Sequence, residues 1–115
     1  RRSAQGQGYK SEQRGRIDGK IGRIMYDILF SNQFKRSYKK CLKRGYNKAL
    51  FEEVVTLLAE TGTLPSQYRP HKLSGEWKGL WECHIQADWL LVWEQRDMEL
   101  ILILTDTGTH SDLFG

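Results

Sequence analysis

Residues 80–105 read LWECHIQADWLLVWEQRDMELILILT, and this stretch decides the fold. Leu80–Ile85 alternates, with Trp81, Cys83 and Ile85 on one side and Leu80, Glu82 and His84 on the other, the period of a strand with two unlike faces. Trp89–Glu94 is almost wholly apolar, and Glu99–Thr105 holds the uninterrupted run Leu100–Leu104. Strands of that kind are covered on both faces or lie centrally in a sheet. Gln86-Ala87 makes the short connection from the first strand to the second, and Gln95-Arg96-Asp97-Met98 that from the second to the third. Connections this short predict an antiparallel meander. A turn at Gln86-Ala87 sets His84 opposite Trp89 and diagonal to Asp88, about 5–8 Å apart.

Upstream, Tyr26–Phe30 reads as a further strand. Ser31 then caps a helix over 32–44, with Phe34, Tyr38, Cys41 and Leu42 at the spacing of one helical face and Gly45 as its stop. Asn47 caps a second helix, Lys48–Glu60, which turns Leu50 or Phe51, Val54, Leu57 and Leu58 inward and ends at Gly62. Helices joined so closely form an antiparallel hairpin. Thr63–His71 carries both prolines and reads as a loop. The expected fold is α+β in the order β-α-α-β-β-β. It is an antiparallel twisted sheet of about four strands with the N-terminal helical hairpin packed on one face.

The formal charge is +4, but its location matters more than its size. Arg1, Arg2, Lys10, Arg14, Arg16, Lys20 and Arg23 face only Glu12 and Asp18 in residues 1–24, so the whole excess lies there. That segment, rich in Gly, Gln, Arg and Ser without an apolar period, reads as a disordered basic leader or an extension upstream of a domain at 25–115. Within the domain most cations cluster on one stretch: Lys35, Arg36, Lys39, Lys40, Lys43, Arg44 and Lys48. Such a helix face contacts nucleic-acid phosphate or is simply solvated. No apolar run approaches the roughly 18 residues of a membrane span, and no signal peptide is recognisable, so the expected compartment is the cytoplasm. Cys41 and Cys83 sit in apolar periods and read as buried free thiols.

His71, His84 and His110 are the only histidines, and none falls at a core-periodic position. Metal binding calls for a further ligand and tight helical spacing, which the chain lacks. Metal-free RNA cleavage needs less. One group takes the ribose 2′-OH proton, the oxygen attacks the adjacent phosphate, and a second group protonates the 5′-oxygen; histidines serve both roles. From spacing alone, catalysis and ordinary surface chemistry remain equally open for the three. Trp89 either stacks on a base or packs the core, Phe114 either lines the site or docks, and Trp77 and Trp81 read as packing residues.

Three blocks carry a resemblance: PHKLSGEWKG at 70–79, HIQADWLLVW at 84–93 and TGTHSDLFG at 107–115. Together they resemble the YafQ-type mRNA interferases of the RelE/ParE superfamily of type II toxin–antitoxin toxins, over Met25 to the C-terminus. The resemblance implies a RelE-like fold and a ribosome-dependent endoribonuclease, without cofactor, that cuts translated mRNA in the ribosomal A site. It implies acid–base histidines at His71, His84 and His110, a catalytic aspartate at Asp88, and substrate contacts at Trp89 and Phe114. It also implies a cognate antitoxin from a neighbouring gene, operator DNA bound only through the toxin–antitoxin complex, and no membrane. One position departs from the pattern. Asp106 stands where related chains carry an arginine that would stabilise the phosphorane. Either Asp106 points away and Lys72 or Arg96 supplies that charge, or activity is weaker, or Asp106 orients His110. The cationic first helix (Lys35, Arg36, Lys39, Lys40, Lys43, Arg44) fits a ribosomal RNA contact. The competing expectations are a non-catalytic ParE-like toxin acting on another target such as gyrase, and an inactive remnant that binds antitoxin.

Overall fold

The computed structural model of the protein describes residues 25–115, so the leader expected at 1–24 lies outside the described residues. Strand β1 (Asp27–Phe30) runs into α1 (Asn32–Lys43) and α2 (Lys48–Thr61). A two-residue strand β2 (His71–Lys72) follows, then β3 (Trp81–Gln86), β4 (Trp89–Arg96), β5 (Ile101–Gly108) and a terminal five-residue helix α3 (His110–Phe114). The α+β class and the helical hairpin are as expected. The sheet is larger, and it is mixed.

Five strands lie in the order β1-β5-β4-β3-β2. The meander β3-β4-β5 is antiparallel, whereas β1 pairs in parallel with β5 from Asp27↔Ile101 to Phe30↔Leu104. Parallel neighbours need a long connection, and the helical hairpin and meander between β1 and β5 supply it. β5 therefore has a partner on each side, and Leu102, Ile103 and Leu104 are buried along it, on both faces of the sheet. The extra strand β2 comes from the segment expected to be loop.

Both helices form for local reasons. Ser31 Oγ accepts the Phe34 N–H at 2.9 Å and donates to the Thr105 carbonyl at 2.9 Å, so one hydroxyl caps α1 and ties it to β5. Asn47 Oδ1 caps α2 through Ala49 N–H, and Gly62 closes it in the left-handed region at φ +79°. A Cβ at Gly62 would sit 2.6 Å from the Tyr26 hydroxyl, so glycine is demanded twice there. Replacing Ser31 with alanine is expected to destabilise the domain by about 1–2 kcal/mol, read as a lower urea midpoint at unchanged slope; an unchanged midpoint would refute the cap's role.

The core lies between the helices and one sheet face. Phe34, Cys41, Phe51, Val54, Val55, Leu58 and Ala59 meet Ile28, Cys83, Ile85, Leu91, Trp93, Leu102 and Leu104. Phe34 stacks on Phe51 of the facing helix, and Tyr38 packs against the same ring at a tilt. Leu42, expected in the buried stripe, is exposed, and both cysteines are buried free thiols. Glu82, His84, Leu90 and Val92 alternate with these core residues and so occupy the opposite face.

Candidate active site

The face away from the helices collects polar side chains. His71 pairs with Glu82 across β2 and β3, and His84 pairs with Leu90 across β3 and β4. Alternate residues share a face, so His71, Glu82 and His84 lie together, with His71 diagonal to His84 at about 7–8 Å.

A bulge then sets the position of the acid. The register slips between His84 and Gln86, Gln86 pairs with Trp89, and the hairpin turn falls at Ala87-Asp88. The expected turn at Gln86-Ala87 is thus displaced by one residue, because Ile85 is the extra residue of the bulge. Asp88 consequently does not partner His84. Its Oδ1 accepts the His110 backbone N–H at 3.0 Å and lies 2.8 Å from His110 Nδ1. The His110 N–H, and then its ring, hold the Asp88 carboxyl below the usual carboxylate range. An ionised carboxylate only accepts, so Nδ1 carries the proton and a neutral ring keeps its lone pair on Nε2. The His84 ring stands edge-on to His110 with centroids 5.6 Å apart.

His71 is held differently. Its Nδ1 is 2.9 Å from the Arg69 carbonyl and its Nε2 is 3.1 Å from Glu82 Oε1. The ring is thus pinned at both nitrogens, one to the backbone and one to a buried acid. Arg69 presents that carbonyl from φ +50°, an uncommon conformation for a non-glycine residue. Glu82 is 4% exposed, and a carboxylate so placed is retained only where it is paired.

The remaining expected site residues separate from this group. Trp89 is 1% exposed; its Nε1–H donates to Thr107 Oγ1 at 2.9 Å and its ring meets Tyr46, so it is a core residue that no base can reach. Lys72 follows His71 on the strand and so points to the other face, where Nζ lies over the Trp81 ring. Arg96 ends β4, seven residues or about 23 Å from Trp89, and is bound by Glu94 and Glu99. Neither cation reaches the histidines. Asp106 accepts the Thr107 N–H at 2.8 Å and lines a recess of about 130 Å³ with Lys40, Arg44 and Asp112, beside α1. Phe114 is 41% exposed and packs edge-on against Trp77 at 5.1 Å. Lys35, Arg36, Lys39, Lys40 and Lys43 are exposed along α1, while Arg44 is engaged by Asp112 at 2.7 Å. Sequence reasoning missed Glu82, although a lone acid amid the apolar positions of β3 is a legible signal. It also missed the Arg44–Asp112 pair, for which nothing local exists.

A family model for the bacterial toxin of type II toxin–antitoxin systems, YafQ, matches residues 26–115. The chain belongs to the YafQ family. The mRNA interferase toxin YafQ of Escherichia coli K12 is 37% identical to it over 93 residues, 80% of this chain and 99% of that one. Among solved structures, the E. coli DinJ–YafQ toxin–antitoxin complex matches with a TM-score of 0.72 at 35% identity, over 80% of this chain and 100% of the other. A metal-bound toxin from Helicobacter pylori matches with a TM-score of 0.72 at 37% identity, over 78% and 100%. YafQ membership accounts for the three sequence blocks, which the fold places at β2 and the turn after it, the β3–β4 hairpin, and the β5–α3 junction. Among the described residues of this YafQ-family toxin, no helix is long and apolar enough to cross a membrane.

Proposed function

We propose that this YafQ-family toxin is an mRNA interferase: an endoribonuclease that cuts translated mRNA on the ribosome by acid–base chemistry of its histidines. The observation that carries the reading is the Asp88–His110 pair beside His84, on the same sheet face as the Glu82–His71 pair. His110 Nε2 takes the 2′-OH proton as the 2′-oxygen bonds to phosphorus. The P–O5′ bond breaks, and the leaving oxygen takes its proton from His71, acting as the general acid. His84, between them, is placed to donate to a non-bridging oxygen as charge builds there. The products are a 2′,3′-cyclic phosphate and a 5′-hydroxyl.

The stacking role expected of Trp89 passes to Phe114 and Trp77, an aromatic pair at the mouth of the site. Lys35, Arg36, Lys39, Lys40 and Lys43 contact ribosomal RNA phosphate. The double charge reversal Lys39→Glu with Lys43→Glu is therefore expected to weaken ribosome binding and to flatten its salt dependence by about 0.7–0.9 log units for each phosphate no longer bound. Turnover of bound complexes should not change, and an unaltered salt slope would exclude this face. A DinJ-like antitoxin partners the toxin, operator DNA is met only through that complex, and both act in the bacterial cytoplasm.

The deciding experiment incubates the 115-residue chain with ribosomes programmed with a defined mRNA and maps both new ends. In-frame cuts bearing a 2′,3′-cyclic phosphate, absent with His110→Ala, are expected. Intact mRNA with the wild-type chain would instead place it with the non-catalytic toxins.

A further inference from the structure

His110 opens a helix of only five residues, too short to hold itself in water, yet its ring must stay within a fraction of an ångström of one position to work as a base. Asp88 holds one side of it. The other hold comes from α1. Arg44, its C-cap residue, sends Nη1 to Asp112 Oδ2 at 2.7 Å and Nη2 to Asp112 Oδ1 at 3.3 Å, across 68 residues of sequence. The same Asp112 Oδ2 accepts the Thr109 N–H at 2.9 Å, and Asp112 N–H donates to Thr109 Oγ1 at 3.0 Å, which closes a capping box around His110. The backbone also leaves no slack. A Cβ at Gly108 would lie 2.8 Å from Asp112 Cβ, so the last residue of β5 and the first turn of α3 already touch.

We propose that Arg44 is a positioning residue for His110, acting through Asp112 to hold α3 against the Asp88 turn. The proposal rests on the acid–base reading above and removes Arg44 from the RNA-contacting face of α1. Arginine suits the task because its planar fork meets both carboxylate oxygens, as a lysine does not. Asp112 is kept well below the usual carboxylate range, first by Arg44 and then by the Thr109 N–H, so the clamp stays charged at any pH where a histidine works.

The test compares Arg44→Ala, Arg44→Lys, Asp112→Ala and the Arg44→Ala/Asp112→Ala double variant in the full chain, in two assays. In the first, ring 15N–1H spectra of free protein follow the His110 Nδ1 proton that Asp88 holds. Arg44→Ala and Asp112→Ala are expected to weaken or lose that signal with melting curves still cooperative, and Arg44→Lys to retain part of it. In the second, single-turnover cleavage on ribosomes should fall about 10- to 100-fold in kcat for either alanine variant at near-constant KM. The double variant should be no worse than the single ones. An unchanged His110 signal in both alanine variants overturns the proposal. So does a raised KM with a flattened salt dependence in Arg44→Ala alone, which would make Arg44 an RNA contact. Should the wild-type chain cut no mRNA, the functional reading fails while the spectra still decide whether Arg44 orders His110.

Discussion

His110→Ala is expected to lower ribosome-dependent cleavage by about 10²–10⁴-fold, the range of a lost general base, without lowering the melting temperature. The side chain is 56% exposed and its bonds run to a surface turn rather than to the core. Removing it therefore empties no cavity. Asp88→Asn should cost less, because an amide oxygen still accepts from the His110 N–H but no longer balances the imidazolium that forms as the base takes its proton. The pH dependence has a definite sign. The Asp88 carboxyl is depressed in the folded chain, so its hold on His110 is complete above the ordinary aspartate value of about 3.9 and is lost only as pH falls through the depressed value. Asp88 therefore adds no limb of its own to the activity profile above that value. A melting temperature that drops with His110→Ala, or cleavage that survives it, would remove His110 from the base role.

Trp89→Ala should act in the opposite manner. The indole is fully buried, donates to Thr107 Oγ1 and packs edge-on to Tyr46 at 4.9 Å. Truncating a buried tryptophan costs about 3–5 kcal/mol, and for a domain of this size each kcal/mol moves the melting temperature by about 4–8 °C. Because the total stability of such a domain is about 5–15 kcal/mol, Trp89→Ala can leave too little folded protein to assay. Trp89→Phe keeps most of the packing and loses one hydrogen bond, worth about 1 kcal/mol, and serves as the readable variant. It should lower the melting temperature by several degrees and leave KM for programmed ribosomes unaltered. A raised KM at constant melting temperature would mean that Trp89 touches RNA after all.

These two residues show why part of the site was legible and part was not. Trp89 opens a strand after a polar turn, a position equally suited to a base platform and to a core anchor. The choice depends on Thr107, 18 residues downstream, presenting a hydroxyl to the indole. His110 and Asp88 stood out by residue type, but their pairing did not. A regular two-residue turn at Gln86-Ala87 brings Asp88 toward His84, whereas one extra residue at Ile85 carries it to the start of α3 instead. A bulge leaves no mark in the alternation of a strand whose end is already polar. Lys72 and Arg96 failed as phosphate partners for simpler reasons: the pleat turns one to the wrong face, and strand length carries the other away. At position 106 an aspartate accepts from the neighbouring Thr107 N–H and lines a recess beside Lys40 and Arg44, and neither expected cation stands in for the arginine that the resemblance implies there.

The sequence by itself determined the two long helices and their caps, because each depends on contacts within four or five residues: Ser31 with Phe34, Asn47 with Ala49, Gly62 in its left-handed turn, and the apolar periods between them. It also determined the meander, since two short connections allow no other pairing. The tertiary structure alone decided that β1 lies parallel to β5, that Glu82 grips His71, and that His110 is held between Asp88 and, through Asp112, Arg44. Those contacts span 11 to 74 residues. Nothing local selects among such partners. Strand order, one bulge and the angle at which α1 meets β5 bring them together.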